Sequence, residues 1–329
     1  MLRKWGGRCV SAARNPGACR ALRRSPYSLL QYQDASGAVA PIGSRELHVG
    51  VLGLGAIGTI FFTRLGRLAG DSKAETELPV LKVDAFVKPE QLSSWVEKEK
   101  LQLSLQGQQG DEILEFEGNS DEVTGIQAPN VRVRTLENAA TNCEENKLDV
   151  LLVAVKAYDS AGVVRDLREK NKHLLKDDAL CVLLQNGLGE VPRDERSSLS
   201  DADDQWQFAN GVTFVGGRVL EFGSVLTSGL DTGMTYLAPC TNVGVGANEG
   251  DSKVEMLAQV LLAAGRNVDA RLCGTMFANG MLCVFEGIHC EVLDESKMQA
   301  MLWRKLIVNA AINPLASLLD APNRVSGRC

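Results

Sequence analysis

The run Gly53-Leu54-Gly55-Ala56-Ile57-Gly58 follows the β-rich stretch Leu47–Leu52 directly and opens an apolar-faced helical stretch that reaches Leu68. A strand, a tight turn and a helix in that order leave few folds open. The first glycine lets the chain turn sharply, and the second lets the backbone approach a pyrophosphate. The third lets the helix pack closely on the strand. N–H groups of the helix's first turn then face the anion. Residues Gly53, Leu54, Gly55, Ala56, Ile57 and Gly58 are therefore the candidate cofactor-binding loop. Stripped of its flanks, the same spacing would equally describe a turn with no ligand.

Downstream, apolar strand-like runs alternate with helical stretches. Strands are predicted at Val80–Val87, Val131–Leu136, Val150–Val155 and Leu180–Leu184. A helix containing Trp95 follows Pro89, and a second runs from Ser160 to Leu175. That alternation argues for right-handed βαβ units and a mainly parallel sheet. An exposed hairpin is predicted around Leu101–Phe116, and short β pieces separated by glycine predict antiparallel additions over residues 210–238. Thr241–Gly250 has linker composition apart from the residues around Val243 and Val245. Helices are predicted at Lys253–Ala264 and Glu295–Leu319, the latter with a kink or restart at Pro314.

At 329 residues with 45% hydrophobic and 23% charged side chains, the chain has room for about two domains. The charge is uneven. Residues 1–46 hold eight Lys or Arg against Asp34 and Glu46, leaving 27 basic and 39 acidic residues in 47–329. Such a leader suits a cleaved mitochondrial presequence, with a disordered basic extension of a cytoplasmic protein as the alternative. A net charge of −6 makes no general electrostatic case for nucleic acid. No apolar run reaches the roughly 18–20 residues of a membrane span. The nine cysteines are odd in number and scattered, which argues against a disulfide scaffold. His48, His173 and His289 lie outside zinc-ligand spacing, so Cys283, His289 and Cys290 read as structural and no metal site is predicted.

Candidate site residues stand where strands end. Lys88 follows the second strand, where a basic group would neutralise a ribose 2′-phosphate and so favour NADP. A shift of two residues in that strand would instead make Asp84 a ribose-binding acid and favour NAD. Lys156 follows Val150–Val155, and Asn186, in Gln185-Asn186-Gly187, follows the next strand. A surface lysine and a simple β-turn are the plainer readings of these two. Lys305, Asn309 and Asn313 recur every four residues, which aligns them along one helix face. Facing a cleft, Lys305 could protonate a developing alkoxide while the two amides orient a polar substrate. Facing water, the three would be an ordinary solvated stripe.

LGLGAIG near the start, AVKAYDS at 154–160, LLQNGLG at 183–189 and LWRKLIVNAAINPLA at 302–316 together resemble the ketopantoate reductase (2-dehydropantoate 2-reductase) family. The resemblance implies an α/β fold: a Rossmann-like, mainly parallel sheet with added β segments, followed by a helical C-terminal domain. It implies NADPH-dependent reduction of 2-dehydropantoate to (R)-pantoate, toward pantothenate and coenzyme A. Carried over motif by motif, Gly53, Gly55 and Gly58 hold the phosphates and Lys88 is the basic residue after the second strand. Lys156 and Asn186 line the inner cleft. Lys305 is the proton donor, and Asn309 and Asn313 help bind a small 2-keto acid.

The expected division is a leader at 1–46, a Rossmann-like NADP domain at 47–273, and an insertion with a truncated helical substrate domain at 274–329. The family ordinarily continues beyond the asparagine-bearing helix with further helices and a substrate-binding acid. Neither Glu286 nor Glu295 occupies that acid's place, because both precede Lys305. Apolar surface on residues 298–319 is expected to lack its cover, leaving open a homo-oligomer or a partner chain. Reduction of another branched 2-keto acid, and a degenerate NADP-binding or regulatory protein, remain as alternative functions.

Overall fold

Strand β1 (Glu46–Leu52) leads through the glycine loop into helix α1 (Ala56–Gly70), and β2 (Val80–Phe86) returns parallel to β1. The computed structural model describes residues 46–70, 78–97, 100–105, 111–115, 120–121, 125–128, 130–139, 147–187, 206–230, 233–240, 250–264 and 288–319. Expectations for the leader through residue 45, for the linker around Val243 and Val245, and for the inserted stretch up to residue 287 lie outside the described residues.

Helix α2 (Pro89–Val96) begins with proline at its first position, where the missing N–H is harmless. Strands β3 (Lys100–Leu105) and β4 (Asp111–Glu115) form the expected hairpin, which is not exposed: Leu101, Leu103 and Leu114 are buried in the core. Then come β5 (Ser120–Asp121), β6 (Gly125–Ala128), β7 (Val131–Arg134) and the single turn α3 (Leu136–Ala139). Strand β8 (Leu148–Val153) feeds α4 (Ala157–Lys170), and β9 (Leu175–Leu184) follows. Strands β10 (Gln207–Thr213), β11 (Gly216–Glu221), β12 (Ser224–Ser228) and β13 (Met234–Pro239) precede α5 (Gly250–Ala263). Last come β14 (His289–Val292) and α6 (Glu295–Leu318).

Ten of the described strands form one sheet in the order β14-β13-β10-β9-β8-β1-β2-β7-β6-β5. Six of them, β7-β2-β1-β8-β9-β10, are mutually parallel. By rank along the chain this is the 3-2-1-4-5-6 order of dinucleotide-binding sheets, with its reversal between β1 and β8. Both faces are covered, so the strands read as nearly unbroken apolar runs. Val49 and Val51 pack with Ile60, Phe61 and Leu65 of α1. On the other face Leu151 and Val153 pack with Val164 and Leu167 of α4.

A second, four-stranded sheet, β11-β12-β3-β4, lies against the far side of α1. That helix is consequently buried all round from Gly58 to Gly66, as a helix between two layers must be. Arg64 is buried with it and donates to Glu112 of β4, which also receives Arg67 at 2.9 Å.

The structure refines the expected elements at several places. The helix expected to reach Leu175 ends at Lys170, because Leu174 and Leu175 are drawn into the core and Leu175 already starts β9. Within residues 210–238 the expected antiparallel pairs are present, β13 on β10 and β12 on β11, while β10 itself is parallel to β9 and β11 and β12 belong to the second sheet. Strand β14, which follows residue 274 in the chain, pairs in parallel with β13 in the main sheet. Helix α6 also runs without a restart through Pro314, whose surroundings are exposed, so the carbonyl it leaves unbonded can reach water.

Helix α6 starts on Asp294, whose carboxylate accepts from the Lys297 N–H at 2.8 Å. Met298 and Leu302 in its first turns pack on Val212 and Ala238 of β10 and β13, so this part of the 298–319 surface is covered. Farther on, Ile307, Leu315, Leu318 and Leu319 are exposed, Leu318 at 83%.

Inside the sheet sits a charged cluster. Asp84 of β2 is 1% exposed. It accepts from Arg132 at 2.7 Å, from Arg134, and lies 3.1 Å from His48 Nε2. Burial pushes its carboxyl up, but the His48 hydrogen bond and the charges of Arg134 and Arg132 outweigh that and bring it from 3.8 to about 2. Its contribution to stability is therefore complete above pH 3.8 and is lost as pH falls through about 2. Asp84→Ala strands buried Arg134 without its anion and should lower the unfolding free energy at pH 7 by about 3–5 kcal/mol in urea. Asp84→Asn should flatten the acid-side loss in the same measurement.

Candidate active site

The carboxyl ends of five adjacent parallel strands carry the residues that the sequence singles out. In sheet order, Lys88 follows β2, Gly53–Gly58 follows β1, Lys156 follows β8, Asn186 follows β9, and Lys305 reaches the end of β10. At about 4.8 Å per strand that row is about 19 Å long. It spans the β1/β8 reversal, where open α/β sheets bind their ligands.

Gly53 takes φ +93°, a conformation open to glycine at little cost. Its N–H donates to the Phe86 carbonyl at 3.1 Å, which ties the turn to β2. A Cβ on Gly58 would stand 1.9 Å from the Gly53 oxygen and 3.3 Å from Ala154 Cβ, so only glycine lets α1 begin this close to β1 and β8. Gly55 is exposed, and a Cβ there would meet no atom within 4 Å. Inside the helix the Thr59 N–H is taken by the Gly55 carbonyl at 2.9 Å. The preceding N–H groups belong to the helix's unpaired first turn, which holds no acid. Such a turn suits a pyrophosphate: open backbone, positive dipole end and no repelling carboxylate.

Lys88 and Lys156 occupy equivalent places. Each is the N-cap of the helix after its strand, with the same φ −70° and ψ 147°, and each is exposed. They flank the glycine loop, one on the β2 side and one on the β8 side. The Lys156 ammonium lies 5.8 Å from the centre of the Tyr158 ring. Asp84, the alternative ribose ligand, is ruled out of that role. It lies within β2 rather than at its end, and its oxygens are committed to Arg132, Arg134 and His48.

Asn186 is exposed just beyond β9. Its neighbour Gln185 is buried and accepts through Oε1 from Ser160 Oγ of α4. Ser160 Oγ also lies 3.4 Å from the Lys156 carbonyl. This link ties the strand end bearing Asn186 to the helix start bearing Lys156. Sequence reasoning missed it; a polar residue directly after the apolar run Ala179–Leu184 was the available signal.

Lys305 is half-buried and donates from Nζ to the carbonyl of Thr213, the last residue of β10. Its ammonium is 5.8 Å from the centre of the Phe214 ring. Burial lowers its pKa from 10.5 to about 8. Asn309 stands one turn farther along α6 on the same face, half-buried, and Asn313 a further turn on, exposed. Thr213 and Phe214 had no signal in the sequence, because their role depends on which strand end α6 reaches.

Other chemistry is not assembled among the described residues. No group of His, Cys, Asp and Glu is placed to hold a metal, and no helix is long and apolar enough to cross a membrane. Burial pushes the thiols of Cys181 and Cys290 up to about 12, away from reactive thiolates.

Residues 49–241 match the family described as ketopantoate reductase PanE/ApbA. A 2-dehydropantoate 2-reductase of Archaeoglobus fulgidus is 27% identical over 202 residues, covering 59% of this chain and 52% of that protein. The chain spans about half the length of the curated relatives it matches. Among solved structures, 2-dehydropantoate 2-reductase from Porphyromonas gingivalis W83 shares the fold with a TM-score of 0.52 at 17% identity, over 84% of this chain and 74% of that one. A D-mandelate dehydrogenase solved with NADH and anilino(oxo)acetate gives 0.50 at 17% identity, over 83% and 65%. With the family match spanning more than half its length, the chain belongs to the ketopantoate reductase family of oxidoreductases.

Proposed function

We propose that the protein reduces 2-dehydropantoate to (R)-pantoate with NADPH, and that Lys305 is the proton donor. Lys305 carries the reading: an ammonium anchored at a strand end of the glycine-loop row, its proton held less tightly than a free lysine's.

In this reading the glycine loop holds the pyrophosphate and Lys88 meets the ribose 2′-phosphate. Lys156 and Asn186 flank the inner end of the same groove. When bound, NADPH supplies a hydride to the C2 ketone carbon. Lys305 hydrogen-bonds the ketone oxygen, stabilises the negative charge as it grows, and gives up its Nζ proton to complete the alcohol. An ammonium fixed beforehand in a half-buried place favours that charge more than the neutral ketone. Asn309 and Asn313, on the same face of α6, orient the substrate's polar groups.

A second reading, reduction of another branched or aryl 2-keto acid, draws on the D-mandelate dehydrogenase that shares this fold. A substrate panel followed by NADPH loss separates the two: the proposal requires 2-dehydropantoate to give the highest kcat/KM. Oxidation of NADPH with none of the ketones, by a chain that binds the cofactor, would point to a degenerate NADP-binding protein.

Lys305→Ala should lower kcat by about 10²–10⁴-fold, the usual worth of a positioned acid, with NADPH affinity within about twofold. Because the protonated form is the donor, kcat/KM should fall as pH rises through about 8. Lys88→Glu should weaken NADPH binding by about tenfold or more, about 1.4 kcal/mol, and leave NADH binding unchanged, read by nucleotide fluorescence. Equal losses for both nucleotides would remove Lys88 from the 2′-phosphate.

A further inference from the structure

Thr213 is more than the residue whose carbonyl happens to receive Lys305. Its side chain is buried, and its hydroxyl oxygen accepts from the Val215 N–H at 3.2 Å and from the Thr235 hydroxyl at 2.9 Å. Thr235 is fully buried on β13, directly opposite Thr213 in the antiparallel register. The first bond is a local Ser/Thr-type turn that fixes residues 213–215. The second pins that turn to the neighbouring strand, and the Phe214 N–H adds a bond to the Met234 carbonyl at 2.8 Å.

Here β10 leaves the main sheet for β11, and a strand end without such bonds is free to change the direction of its last carbonyl. We infer that Thr213, held by Thr235, is a positioning residue that aims its own carbonyl at Lys305 and so sets where the ammonium stands. Its catalytic consequence rests on the reading of Lys305 as proton donor; the positioning itself does not.

The electrostatic surroundings are simple enough to test this. Of the strands packed against α6, β10 has no titratable side chain and β13 has only Tyr236. Tyr236 meets Phe214 edge-on at 6.1 Å, and Phe214 faces the ammonium. On α6 itself the residues three and four away from Lys305 are Met301, Leu302, Val308 and Asn309. The opposing influences are burial, which favours neutral lysine, and the Thr213 carbonyl, which favours the ammonium. A carbonyl turned away must therefore lower the pKa further.

The full-length chain, labelled with ¹³Cε-lysine, allows Lys305 to be titrated by NMR without cofactor or substrate, its resonance assigned by loss in Lys305→Arg. Thr213→Val removes the accepting hydroxyl and keeps the branched shape. Its Lys305 midpoint should fall by about half a pH unit or more, about threefold in the protonation constant. Thr213→Ser should hold the original midpoint, and Thr235→Val should move it in the same direction as Thr213→Val. In the NADPH assay Thr213→Val should lower kcat about tenfold with KM for NADPH within about twofold, and Thr213→Ser should restore it.

A folded Thr213→Val chain with the original midpoint overturns the inference. If that variant does not fold, an unchanged midpoint in Thr235→Val does so instead. A shifted midpoint together with undiminished turnover in Lys305→Ala would sustain the positioning and sink the proton-donor reading.

Discussion

The contact between the start of α1 and the end of β1 organises this molecule. Gly58 lies so close to the Gly53 carbonyl that any side chain would overlap it, and the same absent Cβ would also crowd Ala154 at the end of β8. Three chain segments meet where the sheet reverses its order. The consequence is chemical as well as architectural. Bringing the helix down onto the strand ends aims its unpaired N–H groups along the carboxyl edge. Lys88, Lys156, Asn186 and the anchor of Lys305 stand on that edge.

Around this contact, polar groups are managed in two ways. Asp84, His48, Arg132 and Arg134 form a closed set inside the sheet, where burial is tolerable because each charge has its counterpart close by. Lys305 is different. Burial lowers its pKa, and its Nζ donates to a neutral carbonyl. A buried carboxylate that gathers two guanidiniums and an imidazole holds strands together, whereas the Lys305 ammonium rests on a neutral carbonyl at a strand end. The contrast separates structural charge from chemical charge more reliably than residue type does.

Much of this was legible in the sequence, for physical reasons. Parallel strands covered on both faces must be apolar throughout, so β1, β2, β8 and most of β9 stand out as runs. The first polar residue after β2 and after β8 is then at the carboxyl edge, which is why Lys88 and Lys156 could be named in advance; after β9 it is Gln185, with Asn186 next. The start of β9 was hidden because Lys176, Asp177 and Asp178 interrupt it; there the register against β8 shifts between Leu148↔Leu175 and Val150↔Leu180, with Lys176 pairing Asp149 and Lys253 reaching Asp178. The Asp84 cluster and the Thr213–Thr235 pair were hidden more deeply. Each depends on which residues lie opposite across strands distant in the chain, and no local period carries that information.

The second sheet joins the two ends of the site. Leaving Thr213, the chain needs only four residues to reach Gly217 on β11. A Cβ on Gly217 would lie 3.1 Å from Ala56 Cβ and 2.9 Å from Ile60 Cδ1. Ala56 is the first residue of α1 and belongs to the glycine loop. The strand end that anchors Lys305 and the start of α1 are thus braced against each other through β11. Close-packed interiors transmit displacement rather than absorb it. A shift of the helix on taking up an anion would therefore press on β11 and, through the short stretch back to Thr213, on the carbonyl that holds the lysine.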